Sequence, residues 1–326
     1  MQVEIQTDAA PGTLVAAGQE LSVRVPATSA NLGPGFDSLG LAVSLYDTVR
    51  VRTTDSDGVR VRVRVSGEGE AVLPTDETHL VARTIMDTVR GAGYNVRGLE
   101  LDCENVIPHG RGLGSSASAI VSGVLAGNAL LPESARLDAA GLLHACSALE
   151  GHPDNVAPAL AGALAVSWEQ DGVFRSVKAE VHPDIIPVAA VPATELSTES
   201  ARGLLPAMVP HRDAAANSGR AALLMQALTS DPSLLREGTE DFLHQGYRAP
   251  AMAPSAELIA ALRAAGFAAV VSGAGPTVMT LAAGAEQAEA AEAFITAHLS
   301  GQTAGNWRVL RLGVDRDGAR VVLHQR

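Results

Sequence analysis

The stretch that decides the fold is Pro108-His109-Gly110-Arg111-Gly112-Leu113-Gly114-Ser115-Ser116-Ala117-Ser118. It follows a strand-like pattern over residues 99–107 and leads into a run of small apolar residues over 115–131, typical of a buried helix. Glycines let the backbone approach a ligand closely, and the free amides at a helix N-terminus favour phosphate oxygens. The placement therefore predicts a phosphate-binding loop. It is not a Walker sequence, because that motif requires a lysine that is missing here.

On either side of this loop, the hydrophobic pattern of the sequence predicts a mixture of strands and helices along the whole chain. Valine alternates with arginine over residues 59–65, which predicts a half-buried strand. We expect this strand to pair as a hairpin with residues 41–52 across the turn at 55–58. Near the C-terminus, residues 309–314 and 319–324 predict a closing hairpin.

The length of the chain suggests two domains. It has 326 residues, and a domain typically takes about 150. A polar break that contains glycine lies near residues 170–172 and separates two compact patterns. We therefore expect one domain over residues 1–170 and a second over 171–326.

The composition is that of a globular protein and excludes several partners. Of all residues, 47% are hydrophobic and 18% are charged, and the net charge is −12. A general nucleic-acid surface needs an excess of lysine and arginine, so we expect no nucleic-acid partner. The most apolar stretches are shorter than the about 20 residues that cross a bilayer, so we expect no membrane span. Two cysteines and a start without basic residues favour a cytoplasmic location with buried thiols.

Four segments resemble motifs of the kinase superfamily named for galactokinase, homoserine kinase, mevalonate kinase and phosphomevalonate kinase, the GHMP kinases. Residues 108–118 are similar to its ATP-binding motif, and residues 25–40 resemble its first motif in the form of homoserine kinases. Residues 150–158 and 271–277 resemble two further segments, the latter a glycine loop that faces nucleotide and substrate. The resemblance implies a two-domain α+β fold with the phosphate loop in the N-terminal domain and a ferredoxin-like C-terminal domain. The active site would lie between the domains.

The resemblance also implies an ATP-dependent kinase that converts L-homoserine to O-phospho-L-homoserine, a step toward threonine. Homoserine is a zwitterion with a primary hydroxyl, so its site needs an acid, arginines and polar groups near the hydroxyl. The family motifs place Asp154 and Asn155 beside that hydroxyl. Asn155 cannot act as a strong base, so we interpret it as orienting the hydroxyl and stabilising charge. The substrate-binding residues that the motifs imply are Asn31, Asp37, Thr198, Arg202 and Arg248.

The nucleotide is expected on residues 108–118, with Gly273 and Gly275 of the last motif opposite them. Magnesium normally bridges the phosphates of ATP and takes oxygen ligands, and the candidates are Glu150, Ser115 and Ser116. Some relatives carry Gly-Glu two residues before the position of Glu150, where this chain has Ser147-Ala148. The choice between Glu150 and another metal ligand therefore stays open. His152, which precedes a proline in a tight turn, is interpreted as structural.

Two other functions stay open. One is a kinase for another small alcohol, such as mevalonate or a diphosphocytidyl sugar alcohol. The two arginines together with Asp37 argue against it, because mevalonate has no ammonium group. The other is a non-catalytic ligand sensor, which would not need to retain the loop and the hydroxyl-facing residues together. The resemblance further implies a homodimer and feedback inhibition by threonine, whereas Arg220 and Arg263 lack motif context and are interpreted as surface residues.

Overall fold

The computed structural model describes residues 12–55, 60–300 and 306–324. Its strands, in chain order, are β1 (Thr13–Leu14), β2 (Glu20–Ala30), β3 (Leu39–Thr54), β4 (Arg60–Gly67), β5 (Tyr94–Asn95), β6 (Gly98–Asn105), β7 (Leu164–Gln170), β8 (Val173–Ala179), β9 (Ile185–Pro192), β10 (Ala268–Val271), β11 (Val278–Ala283), β12 (Trp307–Arg311) and β13 (Arg320–His324). Its helices are α1 (Leu80–Gly91), α2 (Ser115–Leu130), α3 (Ala139–Glu150), α4 (Val156–Ala161), α5 (Thr198–Arg202), α6 (His211–Thr229), α7 (Leu235–Gly238), α8 (Gln245–Arg248), α9 (Ala253–Ala264) and α10 (Ala285–Ser300). Strands and helices are mixed in both halves, as the sequence predicts.

Within the described part of the chain, the larger sheet has seven strands. Its path is β13-β2-β3-β6-β4, and the hairpin of β7 and β8 extends from the start of β3. β3 serves both parts because it is 16 residues long, so its first residues pair with β7 and its later ones with β6. Residues of α1 to α4 pack on one face of this sheet. Val63 and Val65 of β4 are buried on that face, whereas the arginines that alternate with them along β4 are exposed. This confirms the predicted half-buried strand.

The smaller sheet has the order β10-β11-β9-β12, and each neighbouring pair is antiparallel. Along the chain, β9 is followed by the helices up to α9, then by β10, β11, α10 and β12. This is the β-α-β-β-α-β order of a ferredoxin-like unit, so that prediction is confirmed. Leu258, Leu262 and Ile295 of α9 and α10 are buried against one face, and a second apolar core joins the other face to the larger sheet.

The predicted hairpin between β3 and β4 is wrong. β6 lies between them, antiparallel to β3 and parallel to β4. Parallel neighbours need a crossover, and the chain supplies one because α1 stands between β4 and β6. The sequence pattern showed two adjacent strands but not the third strand that separates them. Residues 56–58 of the expected turn, and Val59, lie outside the described residues.

The predicted C-terminal hairpin is also wrong, because its two strands belong to different sheets. β12 pairs with β9 in the smaller sheet, whereas β13 pairs with β2 in the larger one. Asp315 shapes the crossing segment, since its Oδ1 accepts hydrogen bonds from the amides of Asp317 and Gly318 at 3.1 and 2.6 Å. The turn signal at residues 315–318 therefore marks a passage between sheets.

Backbone hydrogen bonds tie three motif segments together where the two sheets meet. The Thr28 amide donates to the Leu113 carbonyl at 3.1 Å, and the Gly273 amide donates to the Ala30 carbonyl at 3.1 Å. The predicted division at residue 170 stays a prediction; β8 and β13 join the larger sheet from beyond that position.

Two further features bear on the sequence expectations. Cys103 and Cys146 are free and buried, and burial raises the pKa of each thiol to about 12, so both stay protonated at neutral pH. Within residues 12–55, 60–300 and 306–324, none of the helices has the length and apolar character to span a bilayer.

Candidate active site

A cleft at the junction of the two sheets is lined by residues from all four motif segments. Chain positions that are far apart in sequence, from the loop after β2 to the loop after β10, meet there. The predicted site residues that line this cleft are Asn31, Asp37, Gly110, Gly112, Gly114, Ser115, Ser116, Glu150, Asp154, Asn155, Thr198, Arg202, Arg248, Gly273 and Gly275.

The phosphate loop owes its shape to three glycines in the left-handed region. Gly110, Gly112 and Gly114 have φ values of 64°, 75° and 72°. Gly114 caps α2 without a side chain, so the amides of the first turn are not occupied by a capping side chain. Unpaired amides at the positive end of a helix can bind phosphate oxygens. The geometry of this loop is therefore suited to a polyanion.

Not every residue of the predicted ATP motif faces the cleft. Pro108, Leu113 and Ala117 are buried, the last two in the apolar cores. The Arg111 guanidinium turns to the carbonyls of His109, Pro192 and Ala193 and to the carboxylate of Glu195, 3.0 Å away. Arg111 thus anchors the segment after β9 to the loop.

A second cavity adjoins the first turn of α2. Ser115 and Ser116 line both cavities, which makes the second one adjacent to the cleft. His109 and Ser118 of the predicted motif line this cavity, together with His79 and Asn105.

Asp47 holds both ends of the phosphate loop, and sequence reasoning missed it. Its Oδ1 accepts hydrogen bonds from the amides of Val106 at 2.7 Å and Ile107 at 2.9 Å, and its Oδ2 lies 3.2 Å from the Ser118 hydroxyl. Burial raises the pKa of this carboxyl, and the three hydrogen bonds partly oppose that shift. A single acid within the apolar strand β3 was the signal that could have identified it.

Asn31 and Asp37 are held rigidly in the loop after β2. Both have positive φ, 68° and 56°, and the Asp37 amide donates to Asn31 Oδ1 at 3.0 Å. Asn31 Nδ2 donates to the Gly273 carbonyl at 2.8 Å, which joins the first motif to the last. The Asp37 carboxylate then forms a bidentate ion pair with Arg202, with N–O distances of 2.8 and 3.0 Å.

Arg248 is the second cleft arginine, and only 1% of it is exposed. Its hydrogen-bond partners are the carbonyls of Ala201 and Gly273, both at 3.3 Å, and the His244 ring at 3.2 Å. Burial and the nearby charge of Arg202 lower the pKa of this guanidinium, although it remains a cation at neutral pH. A buried cation whose hydrogen-bond partners are carbonyls and a ring is well placed to receive an anion.

The turn after α3 carries Asp154 and Asn155, which are 2% and 8% exposed. Asp154 Oδ1 lies 2.6 Å from His152 Nδ1, and Asn155 Oδ1 accepts a hydrogen bond from the Thr28 hydroxyl at 2.8 Å. The latter bond fixes the amide and leaves Asn155 Nδ2 as its free donor. Thr28, unnoticed in the sequence, is therefore a positioning residue.

His152 lies in the cleft, although sequence reasoning assigned it a structural role. Burial alone would lower the pKa of its ring. The hydrogen bond to Asp154 and the charges of Asp154 and Glu150 outweigh that effect, so the pKa of His152 is raised. The Asp154 carboxylate therefore favours the protonated form of the ring.

Glu150 stands beside the phosphate loop. Its Oε2 accepts a hydrogen bond from the Ser116 hydroxyl at 2.8 Å. Burial raises the pKa of this carboxyl, and the Ser116 hydrogen bond partly opposes the rise. Magnesium commonly takes one or two carboxylates, with water and phosphate oxygens completing its shell. The carboxylate and hydroxyl oxygens at this position fit that ion.

Comparison with known proteins gives the family. The GHMP kinases N terminal domain matches residues 79–163, and the GHMP kinases C terminal domain matches residues 214–301. A homoserine kinase of Streptomyces coelicolor is 52% identical over 301 residues, which cover 92% of this chain and 94% of that protein. A homoserine kinase of Leifsonia xyli is 50% identical over 309 residues, which cover 95% of this chain and 94% of that protein.

Solved structures are similar over nearly the whole chain. A homoserine kinase from Cytophaga hutchinsonii has a TM-score of 0.82 at 29% identity, with 93% of this chain and 97% of that chain covered. A mevalonate diphosphate decarboxylase from Staphylococcus aureus has a TM-score of 0.66 at 17% identity, with coverage of 93% and 98%. At that lower identity the likeness concerns the fold alone.

Proposed function

This chain belongs to the GHMP kinase family, and we propose from that premise that its cleft transfers a phosphoryl group from ATP to the hydroxyl of L-homoserine. The products are ADP and O-phospho-L-homoserine. One observation carries the proposal: charged anchors for both ends of a zwitterion line the same cleft as the phosphate loop. The chain is accordingly an ATP-dependent kinase.

Homoserine is held at its two charged groups. Asp37, fixed by Asn31, receives the α-ammonium, and Arg202 and Arg248 receive the α-carboxylate. Thr198, at the start of α5, supports the carboxylate from the same side of the cleft. Planar guanidinium groups suit a carboxylate because they offer parallel N–H donors.

ATP lies along the loop at residues 108–118. The amides near Gly112, Gly114 and Ser115 hold its phosphates, and the loop with Gly273 and Gly275 covers them from the other sheet. The rest of the nucleotide extends into the second cavity, because Ser115 and Ser116 line both spaces. Glu150, with Ser115 or Ser116, would hold magnesium, which neutralises phosphate charge when bound.

The reacting hydroxyl lies between Asp154 and Asn155. Asn155 Nδ2 donates a hydrogen bond toward the oxygens that gain charge, since its Oδ1 is already held by Thr28. Asp154 Oδ1 is held by His152, which leaves Oδ2 to accept the hydroxyl proton. Phosphoryl transfer depends mainly on alignment and charge stabilisation, so a strong base is not required.

We expect rapid ADP release from Mg-ATP with L-homoserine and little with D-homoserine, L-threonine, L-serine or mevalonate. The two anchors and the hydroxyl reach the loop together only for an L-amino acid whose primary hydroxyl stands two methylene groups beyond the α-carbon; L-serine is one methylene group too short. A coupled ADP assay with all five compounds at equal concentration tests this. Turnover of mevalonate instead would contradict the roles of Asp37, Arg202 and Arg248, and binding without turnover of any compound would indicate a sensor.

Replacing Arg248 with alanine should raise KM for homoserine by about 30-fold to 300-fold, the usual effect of losing one partner of a buried charge pair. The value of kcat should change less, because Arg248 is far along the substrate from the hydroxyl. Initial rates at varied homoserine concentration give both constants. Arg263→Ala is the control, since Arg263 also donates to backbone carbonyls but outside the cleft. A KM for Arg248→Ala equal to that of Arg263→Ala would contradict the assignment.

Finer features of the proposal follow from the family. Threonine carries the same α-ammonium and α-carboxylate as homoserine and can occupy the same anchors, which supports its role as a feedback inhibitor. We also propose a homodimer, a cytoplasmic location and a division into residues 1–170 and 171–326.

A further inference from the structure

The two charged groups that flank the substrate position are paired with each other. Arg202 Nη1 lies 3.0 Å from Asp37 Oδ2, and Arg202 Nη2 lies 2.8 Å from Asp37 Oδ1. On the proposed function, which this inference assumes, Asp37 binds the ammonium and Arg202 helps bind the carboxylate. Arg202 therefore already holds a carboxylate, like that of the substrate, and Asp37 already holds a cation, as it would hold the substrate ammonium.

We propose that substrate binding exchanges this ion pair for two new ones, and that the exchange selects α-amino acids over hydroxy acids and amino alcohols. A zwitterion supplies a carboxylate for Arg202 and an ammonium for Asp37, so both charges regain a partner. An analogue with one charged group frees both residues but pairs only one of them. The internal pair therefore competes with every ligand that lacks either end of the zwitterion.

The local geometry keeps Asp37 and Arg202 paired with each other, so that their ion pair competes with ligands. Asp37 has a φ of 56°, and its amide is bound to Asn31 Oδ1, so the carboxylate cannot withdraw with its backbone. The Arg202 guanidinium carbon lies 5.9 Å from the centre of the Phe36 ring, at the edge of cation–π range. Arg248 is not part of the pair: its hydrogen-bond partners are carbonyls and the His244 ring, and its guanidinium carbon lies 5.4 Å from the centre of the Phe36 ring. It can attract a carboxylate before the exchange occurs.

The exchange predicts a gain of affinity in a variant that loses a binding residue. In Asp37→Asn, Arg202 is released, so 4-hydroxybutanoate, which lacks the ammonium, should bind about fivefold tighter, the scale of a partly exposed ion pair. L-Homoserine should bind at least about 30-fold more weakly, because its ammonium has lost a charged partner. Isothermal titration calorimetry without nucleotide gives both dissociation constants.

Arg202→Gln gives the mirror result. Asp37 is then released, so 3-aminopropan-1-ol, which lacks the carboxylate, should bind about fivefold tighter while L-homoserine again weakens. Asparagine tolerates the left-handed region as aspartate does, so Asp37→Asn should fold; if its thermal unfolding shows otherwise, Arg202→Gln decides alone. The control is Glu240→Gln. It breaks the ion pair between Arg220 and Glu240, whose N–O distance is 2.7 Å and whose side chains are about as exposed as those of Arg202 and Asp37. This variant should leave the affinities for all three compounds unchanged.

The outcomes separate this inference from the proposed function. Unchanged or weaker binding of 4-hydroxybutanoate to Asp37→Asn, or of 3-aminopropan-1-ol to Arg202→Gln, would overturn the exchange even if the wild-type protein phosphorylates L-homoserine. Failure of the wild-type protein to release ADP with L-homoserine would instead refute the proposed function.

Discussion

Replacing Gly112 with alanine is expected to lower kcat/KM for ATP by about three orders of magnitude. The new Cβ would lie well inside contact distance of the Ser272 carbonyl oxygen and within 3.0 Å of the Gly275 backbone, so one of the two glycine loops must shift. A displacement of about 1 Å in a positioning element can cost about 100-fold in rate, and misplaced amide donors add to that loss. Initial rates at varied ATP concentration, with thermal unfolding as a check on folding, test the expectation.

Gly110→Ala is the matched control for this effect. Gly110 has a similar left-handed φ of 64°, but the atoms nearest to its added Cβ belong to the Glu195 side chain, at 3.4 Å or more. That variant carries the backbone strain of about 1–2 kcal/mol without the clash, so we expect a loss of about tenfold or less. If the two variants showed equal ATP kinetics, contact between the loops would not explain the requirement for glycine at position 112.

The sequence predicted the elements that depend on local pattern. The strand before the loop and the helix after it are present as β6 and α2. The ferredoxin-like order of the second half also agrees with the prediction, which there came from the family resemblance. The signals for these features lie in short stretches of sequence or in the order of the motifs, so a single sequence is enough to predict them.

The two wrong hairpins show where local pattern ends. Turn residues at 315–318 indicate that the chain bends, but partner choice for β12 and β13 depends on which apolar faces are available in two separate sheets. Likewise β6 separates β3 from β4 because a crossover through α1 brings it there. Strand pairing depends on contacts between distant parts of the chain, and the local periodicity of a sequence does not determine which strands pair.

The candidate site divides in the same way. Motif residues such as Asp37 and Asn155 could be predicted by resemblance and do line the cleft. Asp47 and Thr28 act through hydrogen bonds to residues 59 to 127 positions away, so their contacts needed the fold. Arg111 shows the converse, because its place in the motif predicted a ligand contact while its guanidinium binds Glu195 and backbone carbonyls.

We propose that Asn155 acts on the transition state more than on the bound substrates. The Thr28 hydroxyl donates to Asn155 Oδ1 and so fixes the orientation of the amide, which leaves Nδ2 available as a donor. A donor fixed in a largely buried position needs no reorganisation as negative charge develops on the transferred group. Its contribution should therefore appear in kcat and leave the two KM values nearly unchanged.

Replacing Asn155 with alanine should lower kcat by about 100-fold to 1000-fold, the loss typical of one removed transition-state donor, with both KM values within about threefold of wild type. Thr28→Val keeps the shape of that side chain but frees the amide, so kcat should fall by about tenfold and Thr28→Ser should restore it. Asn128→Ala is the control, because Asn128 is equally buried, at 8% exposure, but bonds only the Leu137 backbone. It should reduce stability and leave kcat intact. Wild-type turnover by Asn155→Ala would remove Asn155 from the mechanism and leave the Asp154 carboxylate as the group that acts on the hydroxyl.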